Sequence, residues 1–271
     1  MATYVLSDVH GHLAALDRAL SMASPASEDV LYVLGDMIDR GPDPMGVVRL
    51  VRSLANARVL MGNHEDLMLD AIHNPDSDLS WFNWSQNGAA TTAEGLESLP
   101  PETYLSVIEW VERLPLYEVV SVGDQDYVLS HAGIRPAVVR AMAAEREGLW
   151  DAVSLEAMMS AQDRDDLLWI REEFWGVPTG LKDAEGYGPV AVAGHTPTPY
   201  VVNLANEVAE PLLDDDGHAL MLDVGACAET GDVPDRLATD CAAAAGAGLG
   251  QVGIVRLDDH RIWYAAIHEG E

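Results

Sequence analysis

Five short apolar runs, Thr3–Leu6, Val30–Leu34, Arg58–Met61, Tyr127–Leu129 and Val190–Ala193, each stop directly on a polar cluster. The clusters are Ser7-Asp-Val-His-Gly11, Gly35-Asp-Met-Ile-Asp-Arg-Gly41, Gly62-Asn-His-Glu65, Ser130-His-Ala-Gly133 and Gly194-His-Thr-Pro197. Runs this short and this rich in aliphatic residues read as buried strands, with polar loops at their C-terminal ends. Ligands of open α/β sheets collect outside the carboxyl ends of strands, so five loops of this kind point to one crevice. A single Asp-x-His motif occurs by chance in many chains. Five such clusters in the same strand-end context do not.

Residues 3–62 read as β-α-β-α-β. Apolar residues Leu13, Leu16, Ala19 and Leu20 mark a helix over His12–Met22, and Val47, Val48, Leu50 and Val51 mark another over Asp43–Leu54. Strand, crossover helix and strand within about 30 residues make the parallel unit. A helical stretch punctuated by Pro75, Pro100 and Pro101 follows from Glu65 to Leu114, then a hairpin of Leu116–Val122 and Tyr127–Leu129 around Gly123-Asp124. A second helical stretch covers Arg135–Met159. The last third reads as strands at Val190–Ala193, Tyr200–Leu204, Ala219–Leu222, Gly253–Leu257 and Ile262–Ile267, with turns at Asp214–Gly217 and Asp258-Asp259. The Ala/Gly-rich segment 240–250 reads as a loop or a short small-residue helix. No linker divides the 271 residues, which are expected to form one α/β domain.

Charge narrows the partners. The net charge is −30, with 45 acidic and 15 basic residues, and Lys182 is the sole lysine. Nucleic-acid binding needs clustered Lys and Arg and is disfavoured. A phosphorylated substrate would be repelled at long range, so metal ions and a few arginines must do the capturing. No apolar stretch is long enough to span a bilayer, and the first strand begins at once, so a cytoplasmic location is expected. Cys227 and Cys241 offer neither zinc spacing nor a disulfide framework. Asp214–Asp216 lack the ligand series of a calcium loop, and Gly246-x-Gly248-x-Gly250 lacks the strand and helix of a nucleotide loop.

Six candidate metal ligands emerge: Asp8, His10, Asp36, Asn63, His131 and His195. They combine carboxylate, imidazole and amide oxygen without thiolate, a set suited to manganese, iron or zinc. Asp8 and His10 alternate along an extended segment and can grip one ion. Asp36, with two carboxylate oxygens, can bridge. Two ions about 3.5–4 Å apart would share a water and lower its pKa, making a hydroxide nucleophile. Phosphoryl transfer also needs charge neutralisation and a proton for the leaving oxygen. Arg40 can hold phosphate oxygens with its planar fork. His64, next to Asn63, is the candidate general acid, with Asp39 ahead of Glu65 and Asp66 as the carboxylate that orients it.

Together, Asp8-x-His10-Gly11, Gly35-Asp36-x-x-Asp39-Arg40-Gly41, Gly62-Asn63-His64-Glu65, His131-Ala132-Gly133 and Gly194-His195 resemble the signature of the phosphoprotein phosphatase (PPP) family of calcineurin-like metallophosphoesterases. The resemblance implies a sandwich of two mixed β-sheets flanked by helices, with a dinuclear site at the strand ends. It implies Asp8, His10 and Asp36 on one ion, and Asp36, Asn63, His131 and His195 on the other. It also supports His64 with Asp39 as the acid pair and Arg40 on phosphate. Asp166–Phe174 is similar to the bacterial serine/threonine phosphatase branch, which implies Arg171 as a second phosphate clamp; a helix-surface arginine is the competing reading. Trp81–Leu96, containing Asn87-Gly88, resembles that branch's helical insertion. The long segment 232–250 departs from it. The expected activity is a manganese-dependent serine/threonine protein phosphatase, with symmetrical diadenosine tetraphosphate hydrolysis as the alternative and a non-catalytic phosphoprotein-binding module as a remote one.

Overall fold

The computed structural model describes residues 1–145 and 150–271. Along the chain it forms β1 (Thr3–Leu6), α1 (Leu13–Ala23), β2 (Val30–Val33), α2 (Pro44–Ser53), β3 (Ala57–Val59) and α3 (Asn63–His73). Three more helices follow, α4 (Asp78–Gln86), α5 (Ala90–Glu97) and α6 (Pro101–Val111). Then come β4 (Tyr117–Val122), β5 (Gln125–Ser130), α7 (Pro136–Ala144), α8 (Ala152–Ser160), α9 (Arg164–Trp169), α10 (Glu172–Trp175) and β6 (Val190–Ala193). The remainder holds α11 (Thr198–Val201), β7 (Leu222–Val224), β8 (Arg236–Ala238), β9 (Gln251–Arg256) and β10 (Arg261–Ala266). These elements group into two compact units, residues 1–115 with 242–271, and residues 116–241.

In the first unit the sheet order is β10-β9-β1-β2-β3. β1, β2 and β3 run parallel, while β9 is antiparallel to β1 and β10 to β9. All four residues of β1 are buried, as a central strand covered on both faces requires. Helix α1 buries Ala15, Leu16, Ala19 and Ala23, a stripe at helical spacing. Helix α2 starts on Asp43, whose carboxylate accepts from the Gly46 amide at 2.7 Å, with Pro44 at the first helical position where its missing N–H costs nothing.

The second unit has the order β4-β5-β6-β8-β7, with β5, β6 and β8 parallel and the outer pairs antiparallel. Both sheets are thus mixed and carry helices, as expected. Three details differ from the sequence expectation. Tyr200–Leu204 is not a strand: Pro197 and Pro199 preset helical φ, and the Val201 amide reaches the Pro197 carbonyl, forming α11. The strand expected at Ala219–Leu222 lies at Leu222–Val224, because Ala219 bridges to Leu213 across the Asp214–Gly217 turn. The third is β8 itself, between β6 and β7 in a segment where no strand was expected. It is three residues long and begins on a buried arginine, so it carries no apolar run. The helical stretch expected over 135–159 is two helices, and its residues 146–149 lie outside the described ones. Among the described residues, no helix is long and apolar enough to cross a membrane.

Candidate active site

In the first unit three loops are laced together by their backbones. The loop after β1 donates from Asp8 to the Gly35 carbonyl (3.2 Å), from His10 to Asp36 (2.9 Å) and from Gly11 to Met37 (2.9 Å), all in the loop after β2. The third loop enters through two glycines. A Cβ on Gly35, whose φ is +90°, would lie 2.4 Å from the Gly62 nitrogen, and one on Gly62 would lie 2.2 Å from Asp36 Oδ1. The Glu65 carboxylate, fully buried, accepts from the amides of Asp36 (2.9 Å), Met37 (2.9 Å) and Gly62 (3.1 Å). Burial pushes this carboxyl up to about 7, against the pull of the Asp36 and Met37 amides.

Backbone strain collects in the strand-end loops of both units. Ten described non-glycine residues have positive φ, and six of them are site residues nominated by the sequence: Asp8 (51°), His10 (45°), Asp36 (52°), Asp39 (68°), Arg40 (68°) and His195 (62°). Each such residue costs about 1–3 kcal/mol and persists only where its surroundings over-determine it. Strain dispersed by chance would not select these six.

Asp8, His10, Asp36, Asn63 and His64 are all buried. His10 Nδ1 donates to the Ile38 carbonyl at 3.0 Å, a bond that assigns the tautomer and turns Nε2 to Asp36 Oδ2, 3.6 Å away. His64 Nε2 is 3.8 Å from the same oxygen, and its backbone amide donates to Asp36 Oδ1 at 3.1 Å. Burial, then the Asp8 and Glu65 charges, hold the Asp36 carboxyl well above the ordinary range. His10, Asp36 and His64 each offer a ligand atom, all within 4.8 Å of one another. Crowded buried carboxylates beside imidazole nitrogens are what a divalent cation would neutralise, so this donor set fits one.

His64 Nδ1 lies 2.6 Å from Asp39 Oδ2, and Arg40 Nη2 donates toward His64 Nε2 at 3.0 Å. Glu65 instead serves backbone amides, which separates the carboxylates that sequence spacing left open. Asp39, fully buried, also accepts from Thr92 Oγ1 (2.6 Å) and Trp84 Nε1 (3.0 and 3.2 Å). Its carboxyl is raised to about 6 by burial, opposed by Thr92, Trp84 and Arg40. Sequence reasoning did not find Trp84 or Thr92. Trp84 carried a signal, lying in the same helical insertion as Asn87-Gly88; Thr92 carried none.

In the second unit His131 follows β5 and His195 follows β6, and the Gly194 amide donates to the His131 carbonyl at 2.8 Å. Their rings meet edge to face with Nε2 of His131 3.2 Å from Nδ1 of His195. Trp169 stands edge-on to His195 at 5.8 Å between centroids. Arg171 is exposed at the start of α10 and lines a cleft of about 470 Å³ with Trp169, Leu204 and Arg135, the last bound to Asp166. Asp235 and Arg236, both buried, fasten the backbone beyond it: Arg236 Nη1 donates to the carbonyls of Phe174 (2.7 Å), Trp175 (2.8 Å) and Val177 (2.8 Å), and Asp235 accepts from the Thr179 amide (2.6 Å). Nothing in the sequence reading singled these two out.

The family model for calcineurin-like phosphoesterases matches residues 1–223. The symmetrical bis(5'-nucleosyl)-tetraphosphatase of Pectobacterium carotovorum subsp. carotovorum (strain PC1) is 37% identical over 138 residues, 50% of this chain and 44% of that protein. The enzyme of the same name from Proteus mirabilis (strain HI4320) is 35% identical over 138 residues, 50% of this chain and 46% of its own. The chain therefore spans about half the length of the curated relatives it matches. A solved structure provisionally assigned as a diadenosine tetraphosphatase shares the fold with a TM-score of 0.57 at 17% identity, covering 99% of this chain and 94% of its own. With the family model spanning all five strand-end clusters, the chain belongs to the calcineurin-like phosphoesterase family.

Proposed function

We propose that the protein is a divalent-metal-dependent phosphohydrolase that splits symmetrical dinucleoside tetraphosphates into two nucleoside diphosphates, its two units acting as one catalytic domain in the cytoplasm. One observation carries the substrate: half of the chain aligns at 37% identity with a relative named for this reaction. It reverses the order of the two enzymatic readings drawn from sequence, since the Pectobacterium and Proteus relatives both bear the name of a dinucleotide hydrolase and not of a protein phosphatase. The site loops support phosphoryl transfer in either case.

In this reading Asp8, His10 and Asp36 would hold one ion and Asp36, Asn63, His131 and His195 the other, with Mn2+ the ion of choice and Fe or Zn as substitutes. Bound there, the ions supply an activated water and offset charge on the phosphoryl oxygens. The remaining work belongs to side chains. Arg40 and Arg171 clamp the phosphate chain, replacing long-range attraction that a net charge of −30 denies. Asp39 holds Nδ1–H of His64, which leaves Nε2 to carry the proton given to the departing diphosphate oxygen. Once Arg40 turns to phosphate, that nitrogen faces the leaving group. The test is kcat/KM measured side by side on diadenosine tetraphosphate and a phosphothreonine peptide with manganese. A strong preference for the dinucleotide is expected; preference for the peptide restores the protein-phosphatase reading.

A further inference from the structure

Asp39 and Arg40 are consecutive residues in the left-handed region, both at φ 68°, an arrangement that a chain of L-residues does not hold unaided. The holding comes from residues 84–92, at the end of α4 and the start of α5. Thr92 Oγ1 accepts from the Asp39 amide at 2.9 Å and donates to Asp39 Oδ1 at 2.6 Å, closing a ring on one residue. Trp84 Nε1 reaches both carboxylate oxygens. The Arg40 amide donates to the Gly88 carbonyl at 3.0 Å and its Nε to the Asn87 carbonyl at 3.3 Å. A Cβ on Gly88 would come within 2.8 Å of Arg40 Cγ, so that carbonyl approaches only because residue 88 is glycine.

We propose that Trp84 and Thr92 are positioning residues: they fix the rotation of the Asp39 carboxylate so that Oδ2 alone faces His64 Nδ1, and thereby aim the imidazole. The helical insertion is then part of the proton-delivery apparatus. The geometry favours this over a purely structural role because the two donors, together with His64, engage both oxygens of one carboxylate. Thr92 binds Oδ1, Trp84 spans both oxygens, and Oδ2 keeps a 2.6 Å contact with His64. A residue placed only for packing would not need a hydroxyl shared between the amide and the carboxylate of one partner.

The proposal rests on His64 acting as general acid, and the experiment separates the two. In 15N-histidine-labelled full-length protein, the His64 Nδ1 proton, assigned by its loss in His64→Gln, is expected far downfield as a short bond to carboxylate gives. Thr92→Val and Trp84→Phe should move or broaden that signal, and Thr92→Ser should keep it. In the manganese-loaded enzyme, Thr92→Val should lower kcat on phenyl phosphate by about 10–100-fold. On p-nitrophenyl phosphate, whose leaving group needs little help from a proton, the loss should be only about 3-fold, with Thr92→Ser near wild type on both. An unchanged Nδ1 signal in Thr92→Val and Trp84→Phe overturns the positioning role. Signals that move as expected, with equal kinetic losses on the two esters, uphold positioning and remove His64 from the acid role.

Discussion

The two units hold their candidate site residues by different means. In the first, Asp8, His10, Asp36, Asp39 and Arg40 sit in two loops, and Asn63 and His64 at the start of α3, all within a few residues of strand ends, cross-bonded through backbone amides and braced by buried Glu65. In the second, His131 and His195 follow the same strand-end logic. Arg171, however, lies at the start of α10, and the backbone that follows it is fastened by Asp235 and Arg236. Backbone lacing is local and tolerates the loss of a side chain. A buried ion pair concentrates the fastening in two residues and is costly to break. Chemistry in the first unit should therefore be sensitive to its functional side chains, and stability in the second to its buried pair.

The largest effect expected is at Asp36. Asp36→Asn should remove the carboxylate that the proposal assigns to both ions and lower kcat/KM by about 10⁴-fold, as several kcal/mol converts at 1.36 kcal/mol per decade. Metal analysis after gel filtration should show both ions depleted; two tightly held ions in this variant would rule out the bridging role. His64→Asn should leave metal content intact while kcat falls by about 10³-fold. Loss of metal in parallel would move His64 from acid to ligand.

Arg236→Ala sharpens the other side of the comparison. It leaves Asp235 buried without its charge partner and three carbonyls without a donor, so unfolding free energy should drop by about 3–5 kcal/mol, read by denaturant midpoint. A drop under about 1 kcal/mol would mean the pair fastens little. Arg171→Ala should act on substrate and not on stability, raising KM by about 10–100-fold, the worth of a charged hydrogen bond to phosphate. An unchanged KM would leave Arg171 as a surface arginine.

Most of the first unit's site was legible in the sequence because each residue lies where an apolar run stops, and the run, the glycine and the ligand are contiguous. Asp39 could be ranked above Glu65 but not separated from it, since both lie near His64 along the chain. The distinction comes from Glu65 turning back to three amides at the start of its own helix. Thr92 was invisible because it lies 53 residues from Asp39 in an ordinary helix-start context. Strand β8 was missed for a related reason. Its residues Arg-Leu-Ala have no strand pattern; they become a strand by pairing with β6 and β7, while Arg236 finds three carbonyls about 60 residues away in sequence.

The smallest effect belongs to a half-buried pair in the first unit, the counterpart of the buried pair in the second. Arg18 binds Glu271 through two bonds of 2.7 and 2.6 Å and holds that carboxyl down at about 2. A depressed carboxyl stabilises above its unfolded pKa and loses that contribution as pH falls through the folded value. The Tm difference between wild type and Arg18→Ala should thus be small at pH 7, shrink from about pH 4.5 downward and vanish near pH 2. A difference that persists at pH 2 would assign Arg18 a packing role.

The most direct test of the central claim is product analysis with diadenosine tetraphosphate on protein stripped by chelator and reloaded with manganese. The account predicts no turnover in the stripped protein, and ADP as the only nucleotide product after reloading. Turnover that survives chelation, or AMP and ATP appearing in equal amounts, would contradict it.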